Sequence, residues 1–205
     1  MGHTVFLSDG AEYKNYITYN VVAGTRPSFS LLNTDQTPGS FWITNPDNTI
    51  VGNRAAGSTD FGFWFNLGGS TKGAAFDPNI VPGEAKLGEF RNNVAHSNGD
   101  HGLLVWPGHW PKPEQAYYND FIAYQNKQDG VFMGSIGTVI LRNITVADNG
   151  LYGIEVFRLN QLVEGRVLFC IKQGHFSGWR DLGYNIQYNL QFSFYGLFIF
   201  NLHET

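Results

Sequence analysis

A weak repeat of Asn and Gly constrains the fold of this 205-residue chain more than any other feature of its sequence. Each copy starts with Asn beside a short β-branched or aromatic run, passes through a polar turn to Gly, and ends in a second apolar run. The copies occupy residues 16–22, 53–65, 93–105, 121–132, 143–156 and 185–199, the first and last being the least regular. In the two clearest copies, Gly follows Asn by nine residues.

The spacing of the repeat glycines predicts a parallel β-helix. Gly102, Gly130 and Gly153 are separated by 28 and 23 residues, close to the ~20–25 residues of a coil that holds short strands and no helix. An antiparallel sandwich would instead show turn signals every ~8–12 residues without a recurrent Asn-to-Gly phase. Parallel crossovers are almost always right-handed. The sequence therefore predicts an all-β, right-handed parallel β-helix, a solenoid that forms one domain over residues 1–205.

Two segments rich in Gly and Pro interrupt the repeat, and such residues punctuate regular structure. We predict that they leave the solenoid as loops near residues 68–86 and 106–116. The longer glycine gaps, 40 residues before Gly102 and 43 residues after Gly153, require either an insertion or a further coil. At the corners of the coils, Asn side chains are expected to stack into amide ladders and Gly is expected to supply positive φ angles.

Composition excludes several other classes of protein. Charged residues make up 15% of the chain and aromatic residues 16%, so the chain can bury enough apolar surface to fold. A helical bundle is excluded because Gly and Asn are poor helix formers. The net charge of −4 and the lack of a Lys/Arg cluster argue against a nucleic-acid partner. No stretch reaches the ~18–20 apolar residues of a membrane helix, so no membrane span is predicted.

Cysteine and histidine usage predicts neither a disulfide nor a metal site. Cys170 is the single cysteine, which excludes an internal disulfide or a Cys-based zinc site, and we expect it to be a buried small hydrophobe. His96, Asp100 and His101 form a polar cluster on a repeat turn, but the spacing of five between the histidines matches no zinc pattern. Phosphate-binding, nucleophile-elbow and dinucleotide motifs are also missing. These residues therefore imply no cofactor.

Four ordered motifs in the N-terminal half resemble one extracellular β-helix family. The motifs are GHTVFLSDGAE at 2–12, SFWITNPDN at 40–48, NRAAGS with GFW at 53–64, and LGEFRNN with HS at 87–97. That family contains cell-surface hyaluronidases, the cell-migration-inducing hyaluronan-binding protein and fibrocystin-like proteins. The resemblance covers residues 2–104. Residues 30–42 lack the longer cysteine-bearing insertion expected of the hyaluronidase branch, so the chain is more similar to the fibrocystin-like branch.

The resemblance implies a segment of a larger secreted or membrane-anchored protein, with an extracellular or cell-surface location. It implies a structural or polysaccharide-binding role; the alternative is a glycosidase that depolymerises a hyaluronan-type polysaccharide. For that enzyme the candidate catalytic residues are His3, Asp9 and Glu12, because paired carboxylates can act as acid and base on a glycosidic bond. The competing interpretation is that Asp9 forms a turn and His3 bonds to a neighbouring coil. Calcium enters as a cofactor by the resemblance alone.

Aromatic residues mark a candidate surface for stacking on sugar rings. Trp106, His109 and Trp110 lie on a predicted loop, where side chains are accessible, and are the candidate ligand-binding residues. Trp64 sits in a Phe-Trp-Phe strand, which favours a structural role. The tripeptide 143–145 is the one glycosylation sequon, with Asn143 as its acceptor, and it supports secretion weakly.

Both ends of the predicted solenoid expose apolar strands. The chain opens at 5–7 and closes at 192–200 with neither a capping helix nor a Lys- and Pro-rich edge. A terminal coil needs a cap or a partner, because a coil buries its apolar edges only against its neighbours. We therefore expect other protein chains or further domains to contact both ends, and residues 1–205 alone to associate.

Overall fold

The computed structural model describes residues 2–29, 36–159 and 169–171, and these residues form parallel β-sheets with almost no helix. Several parts of the chain that entered the predictions lie outside the described residues and side chains: the repeat copy at 185–199, the closing strand at 192–200, the segment 30–35 and the Cys170 side chain. No helix in the described ranges is long and apolar enough to cross a bilayer.

The described part of the chain contains sixteen strands, numbered in chain order, which form three sheets that we call A, B and C. Sheet A contains β1 (Val5–Phe6), β4 (Gly39–Ile43), β7 (Phe61–Phe65), β10 (Leu103–His109), β13 (Val131–Ile136) and β15 (Ile154–Leu159). Sheet B contains β2 (Tyr16–Thr18), β5 (Thr49–Val51), β8 (Glu89–Arg91), β11 (Ala116–Asn119), the first part of β14 (Val139–Ala147), and β16 (Phe169–Ile171). Sheet C contains β3 (Val21–Ala23), β6 (Arg54–Ala56), β9 (Val94–His96), β12 (Ile122–Tyr124) and the last part of β14.

The chain visits the three sheets in the same order in successive coils, and every described strand pair is parallel, which is the path of a parallel β-helix. Alternate residues of each strand point inward, because the side-chain period of a strand is two. The rings of Phe41 and Phe63, paired across β4 and β7, stack 4.6 Å apart in the interior. Phe90 and Tyr118 from sheet B, both fully buried, complete an aromatic core.

Two amide ladders hold the corners, as the Asn repeat predicts. At the corner between sheets B and C, Oδ1 of Asn53 accepts hydrogen bonds from Asn20, and Oδ1 of Asn93 accepts them from Asn53. At the corner between sheets C and A, the ladder runs through Ser58, Asn98, Asn126 and Asn149. Each rung between two asparagines uses both the backbone N–H and the side-chain amide of the donor Asn, so buried polar groups are satisfied from coil to coil.

The repeat glycines form an equivalent column, but for a different reason than predicted. Gly62, Gly102 and Gly130 are not in the positive-φ region; instead, a Cβ at Gly102 would lie 2.7 Å from the carbonyl oxygen of Gly130. The residue that adopts positive φ is the one just before each ladder position, such as Asn92 before Asn93 and Gln125 before Asn126. Gly is therefore required here for close backbone approach, while the left-handed residue bends the chain.

The two loop segments differ from the prediction in extent. Residues 66–88 leave the solenoid between β7 and β8 and include two 3₁₀ turns, Gly73–Ala75 and Pro82–Glu84, which accounts for the 40-residue glycine gap. In the predicted loop at 106–116, however, residues 106–109 belong to β10. A bulge between Val105 and Gly108 accommodates the Trp-Pro step, after which β10 pairs with β13 again. Only residues 110–115 connect β10 to β11.

Candidate functional site

The outer surface of sheet A carries a continuous band of aromatic side chains, which we call the aromatic face. Its members project outward from strands of sheet A or from the turns that enter them: His3, Phe6, Trp42, Phe61, Trp64, His101, Trp106, Phe132 and Phe157. Trp64 lies between the inward-facing Phe63 and Phe65 of the same strand and is half-buried on the outside. Trp64 therefore lies on the outer surface of sheet A and is not part of the core.

Successive rings of the aromatic face are in contact. The Trp42 and Trp64 centroids are 4.4 Å apart, and the Trp64 and Phe61 centroids are 4.6 Å apart. Beyond His101, the band continues through Phe132, whose ring lies 6.5 Å from that of Phe157. The band crosses the six strands of sheet A, a length of about 24 Å for interstrand steps of about 4.8 Å.

Trp106 is the most prominent tryptophan of this face. Its side chain is 41% exposed, and its ring packs over Gly134, where a Cβ would lie 2.5 Å from the ring. The ring also makes edge contacts with Phe132 and Phe157, at centroid distances of 6.2 and 5.9 Å. Because Gly134 leaves room for it, Trp106 lies against the sheet, and its remaining surface is accessible to a ligand.

Carboxyl groups surround His101 at one end of sheet A, in a cluster that we call the acidic corner: Asp60, Asp100, His101, Asp129 and Glu155. Nε2 of His101 lies 3.3 Å from Oδ1 of Asp100, and Nδ1 lies 3.1 Å from Oδ2 of Asp129. The imidazole stacks between Phe61 and Phe132, with centroids 5.9 and 5.1 Å away. The acidic corner is therefore continuous with the aromatic face.

Burial perturbs the ionisation of the acidic corner. Burial raises the pKa of the Asp100 carboxyl; His101 opposes this, and the charges of Asp60 and Asp129 raise the pKa further. Burial likewise raises the pKa of Glu155, with the charge of Asp129 acting in the same direction. The pKa of Asp60 is raised by burial and lowered in part by the hydroxyl of Thr59. These carboxyl groups take up protons at higher pH than exposed ones do.

The structure separates the three residues proposed as catalytic. His3 accepts a hydrogen bond from the backbone N–H of Gly39, where β4 begins, and its ring lies 4.1 Å from that of Trp42. The turn that holds Asp9 and Glu12 bonds instead to Thr44, just beyond the end of β4. Gly39 and Thr44 are five residues apart along an extended segment, roughly 16 Å at ~3.3 Å per residue. The structure thus holds His3 and the two carboxylates at opposite ends of β4, which does not favour a single catalytic set of the three.

Asp9 and Glu12 stabilise a turn. The Glu12 carboxylate accepts hydrogen bonds from the backbone N–H groups of Ser8 and Asp9 at 3.0 Å each. Asp9 lines an open polar depression of about 270 Å³ together with Thr44 and Lys72. Asp9 thus lies in a turn, and His3 bonds to a neighbouring coil through Gly39. Both observations match the competing interpretation from the sequence.

The predicted trio Trp106, His109 and Trp110 does not form one surface. His109 is fully buried: Nε2–H donates to the carbonyl of Ala85 at 2.9 Å, and Nδ1 accepts the Tyr118 hydroxyl at 3.1 Å. Burial lowers the pKa of His109 to about 4, although the bond to Ala85 raises it in part. The prediction that His109 contacts a ligand is therefore wrong, because β10 continues to this residue and turns it inward.

Trp110 closes the insertion at 66–88 against the solenoid. Its ring packs on Gly83 and Gly108, where a Cβ would lie 3.2 and 2.9 Å from ring atoms. The backbone N–H of Trp110 donates to the carbonyl of Gly83. Lys112 reinforces this contact through an ion pair with Glu84 at 2.7 Å. Trp110 is thus partly buried in an internal contact, while Trp106 alone of the three lies on the aromatic face.

The remaining predicted residues are dispersed. Asn143 is exposed at the bend of β14, where its side-chain amide donates to Asp120. His96 stacks on Tyr124 in sheet C, 4.7 Å away, so it does not join Asp100 and His101. Within the described residues, no group of three or more His, Cys, Asp or Glu side chains is arranged to hold a metal ion.

Sequence reasoning missed Asp129, Phe132 and Glu155. Asp129 directly precedes Gly130, just as His101 precedes Gly102, so the phase of the repeat places the two side chains next to each other. Glu155 pairs with Phe132 across β13 and β15. Aligning the residues around each repeat glycine would have revealed the acidic corner.

Comparisons with known proteins agree with this geometry. Residues 28–103 match the family described as CEMIP beta-helix. The chain is 38% identical to fibrocystin-L of Mus musculus over 167 residues, which covers 77% of this chain and 4% of that protein. It is 27% identical to cell surface hyaluronidase CEMIP2 and 29% identical to the cell migration-inducing and hyaluronan-binding protein, both of Homo sapiens, each match covering 74% of this chain and 15% of the relative.

The chain therefore spans only a small fraction of the relatives it matches. Its identity is higher to fibrocystin-L than to the two hyaluronan-related proteins, in agreement with the uninterrupted 30–42 segment. The resemblance seen in the four motifs is confirmed: this chain contains a CEMIP β-helix over residues 28–103, and its relatives include the fibrocystin-L proteins and the CEMIP hyaluronidases.

Proposed function

We propose that this chain is a right-handed β-helix segment of an extracellular or cell-surface protein, and that it binds a polysaccharide along its aromatic face. The preference of parallel crossovers for one hand supports the right-handed sense. The names of the relatives support the location, since two of them are a cell surface hyaluronidase and a hyaluronan-binding protein.

The continuity of the aromatic face carries this proposal. A solvent-facing sheet surface is ordinarily polar, and a large exposed apolar patch marks a surface that binds something. Here Phe6, Trp106 and Phe157 are 53%, 41% and 39% exposed on one band. The faces of sugar rings carry C–H groups that pack on aromatic rings, and a band across six strands can hold several sugar units in a row.

Binding is favoured over depolymerisation by the position of the proposed catalytic residues. His3 belongs to the aromatic face, whereas the carboxylates of Asp9 and Glu12 lie at the far end of β4, and Glu12 is engaged in its own turn. A glycosidase needs two carboxyl groups on either side of one bond, ~5–9.5 Å apart. The aromatic face accordingly acts as a binding surface, and polymers that it binds should keep their length.

Affinity electrophoresis of the full chain tests this proposal, with hydroxyethyl cellulose as a neutral polymer and hyaluronan as a charged one. The wild-type chain should be retarded by at least one polymer. Trp106→Ala should weaken binding about tenfold, because a lost aromatic contact of about 1.4 kcal/mol corresponds to that factor. Size-exclusion chromatography of the recovered polymer should show unchanged length.

Tyr16→Ala provides the matched control, because Tyr16 is an aromatic residue that is 82% exposed on sheet B, outside the aromatic face. This variant should bind as the wild type does. Equal loss in both variants, or no loss in Trp106→Ala when its thermal transition is intact, would refute the aromatic face as the binding surface.

A further inference from the structure

The side chain of His101 links the carboxyl groups of the acidic corner to the aromatic face. The His101 imidazole contacts Asp100 on one nitrogen and Asp129 on the other, and its two faces stack on Phe61 and Phe132. Phe132 in turn contacts Trp106 and Phe157. Any change in charge at the acidic corner therefore occurs within the surface on which the proposed ligand would lie.

Asp129 is the most buried carboxyl group of the cluster. Its side chain is 1% exposed, and Oδ1 accepts the backbone N–H of Tyr152 at 3.0 Å. Oδ2, although 3.1 Å from Nδ1 of His101, makes no hydrogen bond, since that nitrogen accepts the backbone N–H of Asp129. One oxygen of this buried carboxylate therefore has no hydrogen-bond donor, which is unfavourable for a buried charged group.

Charged groups reach this cluster from four segments of sheet A. They are Asp60 from the turn before β7, Asp100 and His101 from the turn before β10, Asp129 from the turn before β13, and Glu155 from β15. Among the described residues, the ion pairs of the cluster involve His101 and no Lys or Arg. At neutral pH the acidic corner is therefore negative, and it repels a polyanion within the ~8–10 Å reach of charges in physiological salt.

We propose that the acidic corner is a pH-dependent gate on the aromatic face, which admits a carboxylate-bearing polysaccharide in mildly acidic solution and repels it at neutral pH. The proposal rests on the proposed function and names its regulation. Burial and mutual repulsion raise the pKa of Asp100 and of Glu155, so these carboxyls lose charge as the pH falls toward the acidic range. This loss of charge removes repulsion, which a neutral polysaccharide does not experience.

The test compares hyaluronan with hydroxyethyl cellulose by affinity electrophoresis of the full chain at about pH 7.5 and about pH 5, because buried carboxyls with a raised pKa lose charge as the pH falls. Ionic strength is held at about 0.05 M, where charges act over more than ~10 Å. Hyaluronan affinity should rise about tenfold at the lower pH, while affinity for the neutral polymer should stay within twofold. Far-UV circular dichroism at both pH values verifies that the chain is folded.

Two variants address the gate at neutral pH, where acid unfolding plays no part. Glu155→Gln and Asp100→Asn should each raise hyaluronan affinity at about pH 7.5 by about threefold and reduce the dependence on pH, because each removes one ionisable carboxyl. Asp120→Asn removes the same charge at the corner between sheets B and C, away from sheet A, and should change neither quantity.

The outcomes separate this proposal from the one on which it rests. If a polymer binds but hyaluronan affinity is the same at both pH values, or the Glu155 and Asp100 variants match Asp120→Asn, the gate is overturned and the binding function stands. If neither polymer binds at either pH, the proposed function fails and the gate fails with it.

Discussion

Oδ1 of Asn93 accepts hydrogen bonds from both the backbone N–H and the side-chain amide of Asn53, at 2.9 and 3.2 Å, although the two residues are 40 positions apart. The side-chain amide of Asn93 in turn donates to the carbonyl of Ile50 at 2.8 Å. Both asparagines are fully buried. This one side chain therefore joins two coils between which the chain makes its longest described excursion, residues 66–88.

Asn93→Ala should destabilise the protein by about 2–4 kcal/mol, because two donors of Asn53 and the carbonyl of Ile50 would lose a partner in the interior, at ~1–3 kcal/mol for each unsatisfied group. Urea unfolding followed by circular dichroism measures the change. Asn79→Ala is the control, since Asn79 is exposed and bonds only to Asp77 nearby in the loop; it should cost less than about 1 kcal/mol. A similar loss in both variants would contradict the ladder as a source of stability.

His109 should make the protein less stable in acid. Burial lowers its pKa to about 4, from an ordinary value of 6.5. Below about pH 6.5 the unfolded chain therefore binds a proton that the folded chain does not, and up to about 3 kcal/mol of stability is lost as the pH falls to about 4. His109→Gln should flatten this part of the curve of unfolding free energy against pH.

The matched control is His96→Gln, which changes a histidine on sheet C and leaves His109 in place. Its stability should decline between about pH 6.5 and 4 as in the wild type. The carboxyl groups contribute equally to all three proteins. Parallel curves for the wild type and His109→Gln would show that His109 is not responsible.

Asn143 should carry a glycan when the chain passes through a secretory pathway. The side chain is exposed at the bend of β14, and the sequon threonine, Thr145, follows two residues later. Expression behind a secretion signal should yield a product whose electrophoretic mobility increases after peptide-N-glycosidase treatment. Asn143→Gln and Thr145→Ala should each abolish that shift. A treated wild type that migrates unchanged would contradict the prediction.

The first coil should drive self-association of the isolated chain. Strands β1, β2 and β3 pair with β4, β5 and β6 on one side, and no described strand covers their other side. Val21 of β3 is 76% exposed on this edge. Because lysine discourages edge pairing, Val21→Lys should reduce association in sedimentation velocity at micromolar concentration.

Ile122→Lys is the control for this substitution, because Ile122 occupies the same outward column of sheet C but lies between β9 and β14. It should leave association unchanged. A monodisperse wild-type monomer without any partner would show that the open edge does not associate.

The ladders and the glycine column could be predicted from the sequence because both depend only on spacing. Asn93 follows Asn53 by the same 40 residues that separate Gly102 from Gly62, so the insertion shifts both by the same amount and their phase survives. The reason for the glycines was harder to predict. Glycine is required because a Cβ at Gly62 would lie 2.6 Å from the carbonyl oxygen of Gly102 in the next coil, a contact that spacing does not predict.

The candidate site was predicted less well because it depends on which side of a strand a residue occupies. Trp106 is exposed and His109 buried because β10 continues through its bulge to His109, whereas a loop over 106–116 would leave both side chains accessible. Glu155 joins the acidic corner only because β15 pairs with β13 in one register; a shift by one residue would turn its side chain to the interior. Sequence spacing alone does not determine either choice.

The connections between the sheets of the solenoid differ in length. Between sheets B and C, the first four coils use two residues each, and in the fifth coil β14 passes through without interruption. Between sheets A and B, the connection ranges from the two residues between β13 and β14 to the 23 residues between β7 and β8. Insertions can therefore accumulate at the corner between sheets A and B, while the corner between sheets B and C, held by Asn53 and Asn93, keeps its length. New recognition loops would arise beside sheet A, with no need to alter the stack that supports them.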